Sequence, residues 1–142
     1  MKQVRHILGA KPGNIYSVNQ ETSVLETLKI MLDKNISALL IMDDNQLKGI
    51  FTERDYARKI VLQGKSSKDT LIKEVMTAEL KTVAPNDNID YCMQLMSNLH
   101  IRHLPVLDNG KVIGMISIGD LVKFVISDQK ETIEHLQSYI HS

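Results

Sequence analysis

The chain has 142 residues, of which 17 are basic and 17 acidic, with a single cysteine and 43% hydrophobic content. That length describes one ordinary domain or two small halves, and a net charge of zero removes the long-range field on which nonspecific nucleic-acid binding depends, although local basic clusters stay open. Two Phe, four Tyr and no Trp offer little aromatic surface for stacked bases, so no nucleic-acid partner is expected. Cys92 alone excludes an internal disulfide and suits a reducing compartment. The start, Met1 to Leu8, lacks an export segment, and no apolar run reaches the roughly 18 residues of a membrane span. A cytoplasmic protein with no membrane partner is expected.

In chain order, residues 1 to 14 form a lead whose Lys11-Pro12-Gly13-Asn14 ends in a turn. Ile15 to Val18 reads as a short strand. Ser23 with Glu26 makes a capping-box pattern ahead of Leu28, Met31 and Leu32, so a helix is expected to about Lys34. The unbroken apolar run Ala38 to Met42 predicts a strand buried on both faces; after the turn at Asp43 to Gln46, Leu47 to Phe51 returns as its partner. From Glu53 to Gln63 a second helix is expected, with Tyr56, Ile60 and Val61 on one side. Gly64 to Asp69 is a small, polar linker.

The elements then recur. Asp55 and Asp120 set an offset of 65 residues (120 − 55), at which Ile15 to Ile60 runs without a gap against Leu80 to Val125 and seven pairs are identical, Gly49/Gly114 and Asp43/Asp108 among them. Apolar character also persists, as in Val24/Ile89, Ile41/Val106 and Phe51/Ile116. The second copy therefore predicts a strand at Leu80 to Val83, a helix with Ile89, Met93 and Met96 on its buried stripe and Cys92 in phase as a core thiol, and a strand at Arg102 to Leu107. A hairpin turn follows at Asp108 to Lys111, then a strand at Val112 to Ile116 and a helix at Gly119 to Ser127. Pro105 replaces Leu40 and cannot donate to a ladder, so an edge, a bulge or an open side is expected there. The tail, with Ile133, Leu136 and Ile140, reads as an amphipathic helix that covers this fold or a second subunit. Each copy is strand, helix, strand, turn, strand, helix; a lone core of that size is marginal, so the two are expected to pack together.

The most informative pattern is Gly-apolar-apolar-Thr/Ser-x-x-Asp, present as Gly49 to Asp55 and Gly114 to Asp120. A duplicated helix start explains Thr52 with Asp55 and Ser117 with Asp120, since hydroxyl and carboxylate three apart cap a helix. The same groups also suit a nucleoside phosphate: a hydroxyl and free backbone N–H groups for an anion, and a carboxylate for both hydroxyls of a ribose. No metal-ligand spacing, phosphate-binding Walker loop or catalytic triad signature is present.

With His103-Leu104-Pro105-Val106 and Val75-Met76-Thr77, the doubled motif resembles a tandem pair of CBS domains, from about Val4 to Ile126, of the small stand-alone bacterial type. The resemblance implies an α/β (α+β) fold of two β-α-β-β-α repeats related by a pseudo-twofold axis and packed as one module. The expected divisions are 8–66, 67–129 and a C-terminal amphipathic helix at 130–142. It further implies a non-enzymatic regulatory module that binds an adenine nucleotide (AMP, ADP, ATP or NAD) in clefts between the repeats, dimerises with its own kind and acts on a target protein. Carried over, Asp55 and Asp120 would hold ribose hydroxyls, and Thr52 and Ser117 would contact phosphate. Ser17, Val18, Thr82, Val83, Ser37, Ala38, Arg102, His103 and Pro105 would line the adenine and phosphate sides, and Met76 could pack on adenine. Arg54 and Arg102 are basic groups able to meet phosphates. Arg54 aligns with Gly119, and Ser37-Ala38 with Arg102-His103, so the two sites are not expected to be equivalent. The rival reading keeps the fold and dimer, leaves the clefts empty and makes assembly the function.

Overall fold

In the computed structural model, residues 2–11, 13 and 15–141 are described, the side chains of 132 and 139–141 excepted. The turn expected at Lys11 to Asn14 includes Pro12 and Asn14, which lie outside the described residues, as does the side chain of Ile140. The chain divides into two compact units. One holds Met1–Gly13, Thr82–Asp108 and Ile113–Ser142; the other holds Asn14–Lys81 and Asn109–Val112.

The unit built on the first repeat contains β1 (Ser17–Val18), α2 (Val24–Lys34), β2 (Ala38–Asp43), β3 (Gln46–Thr52) and α3 (Glu53–Asp55). The sheet order is β1-β2-β3, with β1 parallel and β3 antiparallel to β2. Ala38 to Ile41 are buried because β2 is the central strand. Ser23 caps α2 by accepting from the Glu26 N–H at 3.1 Å. At the other end Asn35 takes a left-handed conformation, with φ of 54°.

The face that α2 buries is Val24, Thr27 and Met31, whereas Leu32 is 84% exposed. The spacing of Leu28, Met31 and Leu32 predicts a buried Leu32, but Thr27 is buried instead. Its hydroxyl donates to the Ser23 carbonyl one turn back at 3.0 Å, which lets a threonine occupy a fully buried position. The expected helix at Glu53 to Gln63 also differs in winding. After α3 the chain widens into a π-helix at Tyr56–Val61, with the Leu62 N–H donating to the Ala57 carbonyl at 3.0 Å. The wider turn keeps Ile60 in the core and puts Val61 on the surface.

The second unit contains α1 (Val4–Ala10), α4 (Ile89–Leu99), β4 (His103–Asp108), β5 (Lys111–Ser117) and α5 (Ile118–His141). On α4 the buried stripe is Ile89, Cys92 and Met96, the positions of Val24, Thr27 and Met31, and Met93 is 39% exposed. Cys92 is the expected core thiol. The two expected helices at 119–127 and in the tail are one continuous α5.

The strand expected at Leu80 to Val83 shrinks to a single parallel bridge, Val83 to Val106. Pro105 is the reason. In the first repeat the Leu40 N–H donates to the Tyr16 carbonyl at 3.3 Å and helps hold β1 to β2. Pro105 has no such donor, and what remains is its carbonyl accepting from Val83 N–H at 3.0 Å and Leu107 N–H donating back to Val83 at 2.9 Å.

Each repeat is preceded by a lead, and each lead completes the core of the other. Val4 and Ile7 of α1 are buried with Leu104, Val106, Ile116 and Leu121 of the second repeat. A 3₁₀ turn at Ile72–Glu74 leads into the second repeat, yet Ile72 and Val75 are buried with Leu39, Ile41 and Phe51 of the first. Burial of an aliphatic side chain contributes about 1.5–3 kcal/mol, so the exchanged residues are a substantial share of each small core.

Candidate functional site

The two carboxylates of the repeated motif sit at equivalent places in their units but in different company. Ala38 lies opposite Thr52 in the β2–β3 register, and the Glu53 N–H donates to the Ser37 carbonyl at 3.2 Å. These contacts gather Ser37, Ala38, Thr52, Arg54 and Asp55 at one end of the sheet. In the second repeat the Ile118 N–H donates to the Arg102 carbonyl at 2.9 Å and gathers Arg102, His103, Ser117 and Asp120 in the same way. Ser17 and Val18 flank Leu40 and Ile41, further along β2. Val83 is bonded to Pro105, and Thr82 beside it is exposed. Met76 lies over Gly49, where a Cβ would come within 2.7 Å of its Sδ.

Both capping boxes close. Asp55 N–H donates to Thr52 Oγ1 at 3.2 Å while Thr52 N–H donates to Asp55 Oδ2 at 3.0 Å; Asp120 N–H donates to Ser117 Oγ at 3.1 Å while Ser117 N–H donates to Asp120 Oδ2 at 2.9 Å. Capping occupies one oxygen of each carboxylate.

The other oxygens differ. Asp55 Oδ1 accepts from the Thr77 hydroxyl at 3.0 Å and lies 3.1 Å from Lys59 Nζ, and the Thr52 hydroxyl adds a bond to Oδ2 at 3.2 Å. Lys59 is itself held by the Val75 carbonyl at 3.0 Å and Thr77 Oγ1 at 3.3 Å. A carboxylate has about four lone-pair sites, and Asp55 has filled them. Asp120 Oδ2 takes a single further partner, Lys11 Nζ at 2.8 Å, which also donates to the Met115 carbonyl at 2.8 Å. Among the described residues Oδ1 of Asp120 has no hydrogen bond. The side chain of Asp120 is 23% exposed and that of Asp55 10%.

Burial by itself would raise the Asp120 carboxyl, but the Lys11 ammonium and the Ser117 donors outweigh it and hold the pKa below the usual 3.8. His103 is pushed below 6.5, first by burial and then by Lys11 and Arg102, with Asp120 opposing. Lys11, Lys59 and Thr77 are the contributors not singled out from sequence. Lys59 left a trace, four residues after Asp55 on a helix. Lys11 lies 109 residues from Asp120 and left none.

Among the described residues no group of three or more His, Cys, Asp or Glu could hold a metal ion, and no helix is long and apolar enough to cross a membrane. The family model of the CBS domain matches residues 4–62 and 72–127. The chain belongs to the CBS domain family.

These two CBS repeats are similar to a mitochondrial CBS domain-containing protein of Arabidopsis thaliana, CBSX3, at 42% identity over 125 residues; the match covers 84% of this chain and 61% of that protein. A solved protein with CBS domains from Burkholderia ambifaria is 53% identical, with a TM-score of 0.87, over 90% of this chain and 96% of that one. The solved CBS domain pair of protein MJ0100, in complex with 5′-methylthioadenosine and S-adenosyl-L-methionine, is 29% identical with a TM-score of 0.79, over 90% of this chain and 98% of that one. Leu8 lies against Gly114 as Met76 lies against Gly49, its equivalent in the first repeat, which pairs Leu8 with Met76 at a separation of 68 residues (76 − 8). The exchanged leads thus take equivalent places, at a separation three residues longer than the 65 of the rest of the repeat.

Proposed function

We propose that this CBS pair is a regulatory module that binds an adenine nucleotide, AMP, ADP, ATP or NAD, and passes the binding on through a homodimer or target-protein surface. The carrying observation is Asp120, a capped carboxylate with one oxygen open, set beside Ser117, His103, Arg102 and the Lys11 ammonium. An open carboxylate oxygen suits the two hydroxyls of a ribose, and neighbouring cations and a hydroxyl suit a phosphate. The adenosine compounds bound by the MJ0100 pair support the ligand class. Asp120 and Asp55 are assigned to ribose, and Ser117 and Thr52 to phosphate. Ser17, Val18, Ser37, Ala38, Arg54, Thr82, Val83, Arg102, His103 and Pro105 are assigned to the surrounding walls, and Met76 to adenine. The module signals only if ligand binds its two states unequally.

Thermal unfolding of ligand-stripped protein against AMP, ADP, ATP, NAD, NADH and S-adenosylmethionine tests this reading. A ligand at about 100 times its Kd stabilises by about 2.7 kcal/mol, a rise in midpoint of roughly 5 to 10 °C. A selective rise identifies the ligand. A flat response to all six overturns the reading in favour of ligand-independent assembly, which the exposed Val122, Ile126, Ile133 and Leu136 along α5 support.

A further inference from the structure

The repeats are copies, yet the groups that fill the Asp55 carboxylate have no counterparts in the second. Lys59 aligns with Phe124 at the 65-residue offset, and Thr77 corresponds to Gly9 at the 68-residue separation set by Met76 on Gly49 and Leu8 on Gly114. Both groups converge on Oδ1 of Asp55, the oxygen whose equivalent on Asp120 is open. All three N–H groups of Lys59 have acceptors within reach, namely Asp55, Thr77 and the Val75 carbonyl. A diol arriving at Asp55 finds no acceptor capacity until Thr77 or Lys59 withdraws, whereas a diol arriving at Asp120 displaces no hydrogen bond from Oδ1.

We infer that Thr77 and Lys59 gate the first repeat, so that the two carboxylates take adenosine ligands in order, Asp120 first and Asp55 only after the Val75–Thr77 segment gives up its contacts. The inference rests on the nucleotide-binding reading above and adds its order and the two positioning residues that set it. Where the competent form of a site is a minor one, apparent affinity falls by that fraction. Each surrendered hydrogen bond to a carboxylate is worth a factor of about 10 to 150, so the second equivalent binds about tenfold or more weaker than the first.

Calorimetric titration of the ligand-stripped full chain with AMP, ATP and NAD in turn reads this directly. Wild type is expected to show one tight and one weak equivalent, with the tight one lost in Asp120→Ala. Thr77→Val keeps the side-chain shape but removes the hydroxyl, and is expected to strengthen the weak equivalent about tenfold or more; Thr77→Ser, which keeps the hydroxyl, restores the wild-type pattern. Lys59→Met is expected to act in the same direction as Thr77→Val, and Thr77→Val alone decides the matter if Lys59→Met does not fold. A merely structural Thr77 would lower the unfolding midpoint without changing the ratio of the two affinities. Two equal equivalents, a tight equivalent that survives Asp120→Ala, or an unchanged ratio in Thr77→Val overturns the gate while leaving nucleotide binding standing. Absence of binding by all three nucleotides, in wild type and Thr77→Val alike, overturns the nucleotide reading and the gate with it.

Discussion

Leu8 lies against Gly114 so closely that a Cβ on the glycine would come within 2.8 Å of the leucine Cδ2. Met76 stands in the same relation to Gly49, but there the backbone is also in the way, with the Thr77 carbonyl oxygen 2.9 Å from the same imagined atom. A leucine tip can swing aside, and a bridging backbone cannot. Gly49→Ala is therefore expected to cost about 1–3 kcal/mol by overpacking, while Gly114→Ala stays within about 1 kcal/mol because the gain in backbone restriction offsets the shift of Leu8. Thermal unfolding checks this, at about 4 °C per kcal/mol for a chain of this size. Equal losses would show that the backbone contact at Thr77 does not decide the difference.

The exchange of leads predicts where damage travels. Ile7→Ala removes a buried side chain from the second repeat's core and is expected to cost about 2–4 kcal/mol. Hydrogen exchange should then quicken in α4, β4 and β5, with β2 and β3 protected as before. Val75→Ala should give the converse, loosening β2 and β3. Loss of protection confined to α1 itself in Ile7→Ala would contradict the packing.

Acid is expected to weaken the fold in two windows. His103 has a folded pKa below its unfolded value near 6.5, so the unfolded chain takes up the proton first and stability falls as pH drops through that interval. Asp120, held below 3.8, contributes stability that is present above the unfolded value and is lost as pH falls through the folded one. His103→Gln should flatten the upper window. Lys11→Met removes the main opposition to burial, so the folded carboxyl moves back toward its unfolded value and the lower loss shrinks. Denaturant midpoints measured from pH 8 to pH 3 report both; a lower window unchanged in Lys11→Met would refute the role given to the ion pair.

Cys92 is fully buried, and burial first, with Asp87 adding to it, pushes its thiol up to about 11. At pH 8 roughly a thousandth of it is thiolate. A disulfide reagent such as Ellman's is expected to leave the native chain unmodified and to titrate one thiol once denaturant is added. Fast stoichiometric labelling of the native protein would contradict the burial.

The readings that held from sequence are those in which cause and effect are a few residues apart. Ser23 with Glu26 and the helical spacing of Leu28 and Met31 suffice to place α2, and Asp108-Asn109-Gly110 specifies a turn whose Asn109 and Gly110 take φ of 51° and 80°. The misreadings share a different origin. Hydrophobicity puts Leu32 and Met93 on the buried stripes, yet both are exposed; on α2 the buried position goes to Thr27 instead, because a threonine that satisfies its own hydroxyl counts as apolar to its neighbours. Nothing local to Val18 or Val83 shows that one belongs to a paired strand and the other makes a single bridge; the donor missing from Pro105 decides it from another strand. The candidate site was legible as far as the repeated motif carries it. Its asymmetry lies in Lys11 and Thr77, which reach their carboxylates from the leads, across distances that no pattern in the sequence encodes.

Because each lead finishes the core of the repeat that does not follow it, a solitary repeat with its own lead would be left with an apolar gap and a spare plug that fits another copy. Two such chains could satisfy each other only by trading leads, as a domain-swapped pair. Gene duplication with fusion would then have turned a bimolecular exchange into an internal one, with the Gly64 to Asp69 connection supplying an effective concentration in place of an encounter. Severing the linker should then give two fragments that find each other again.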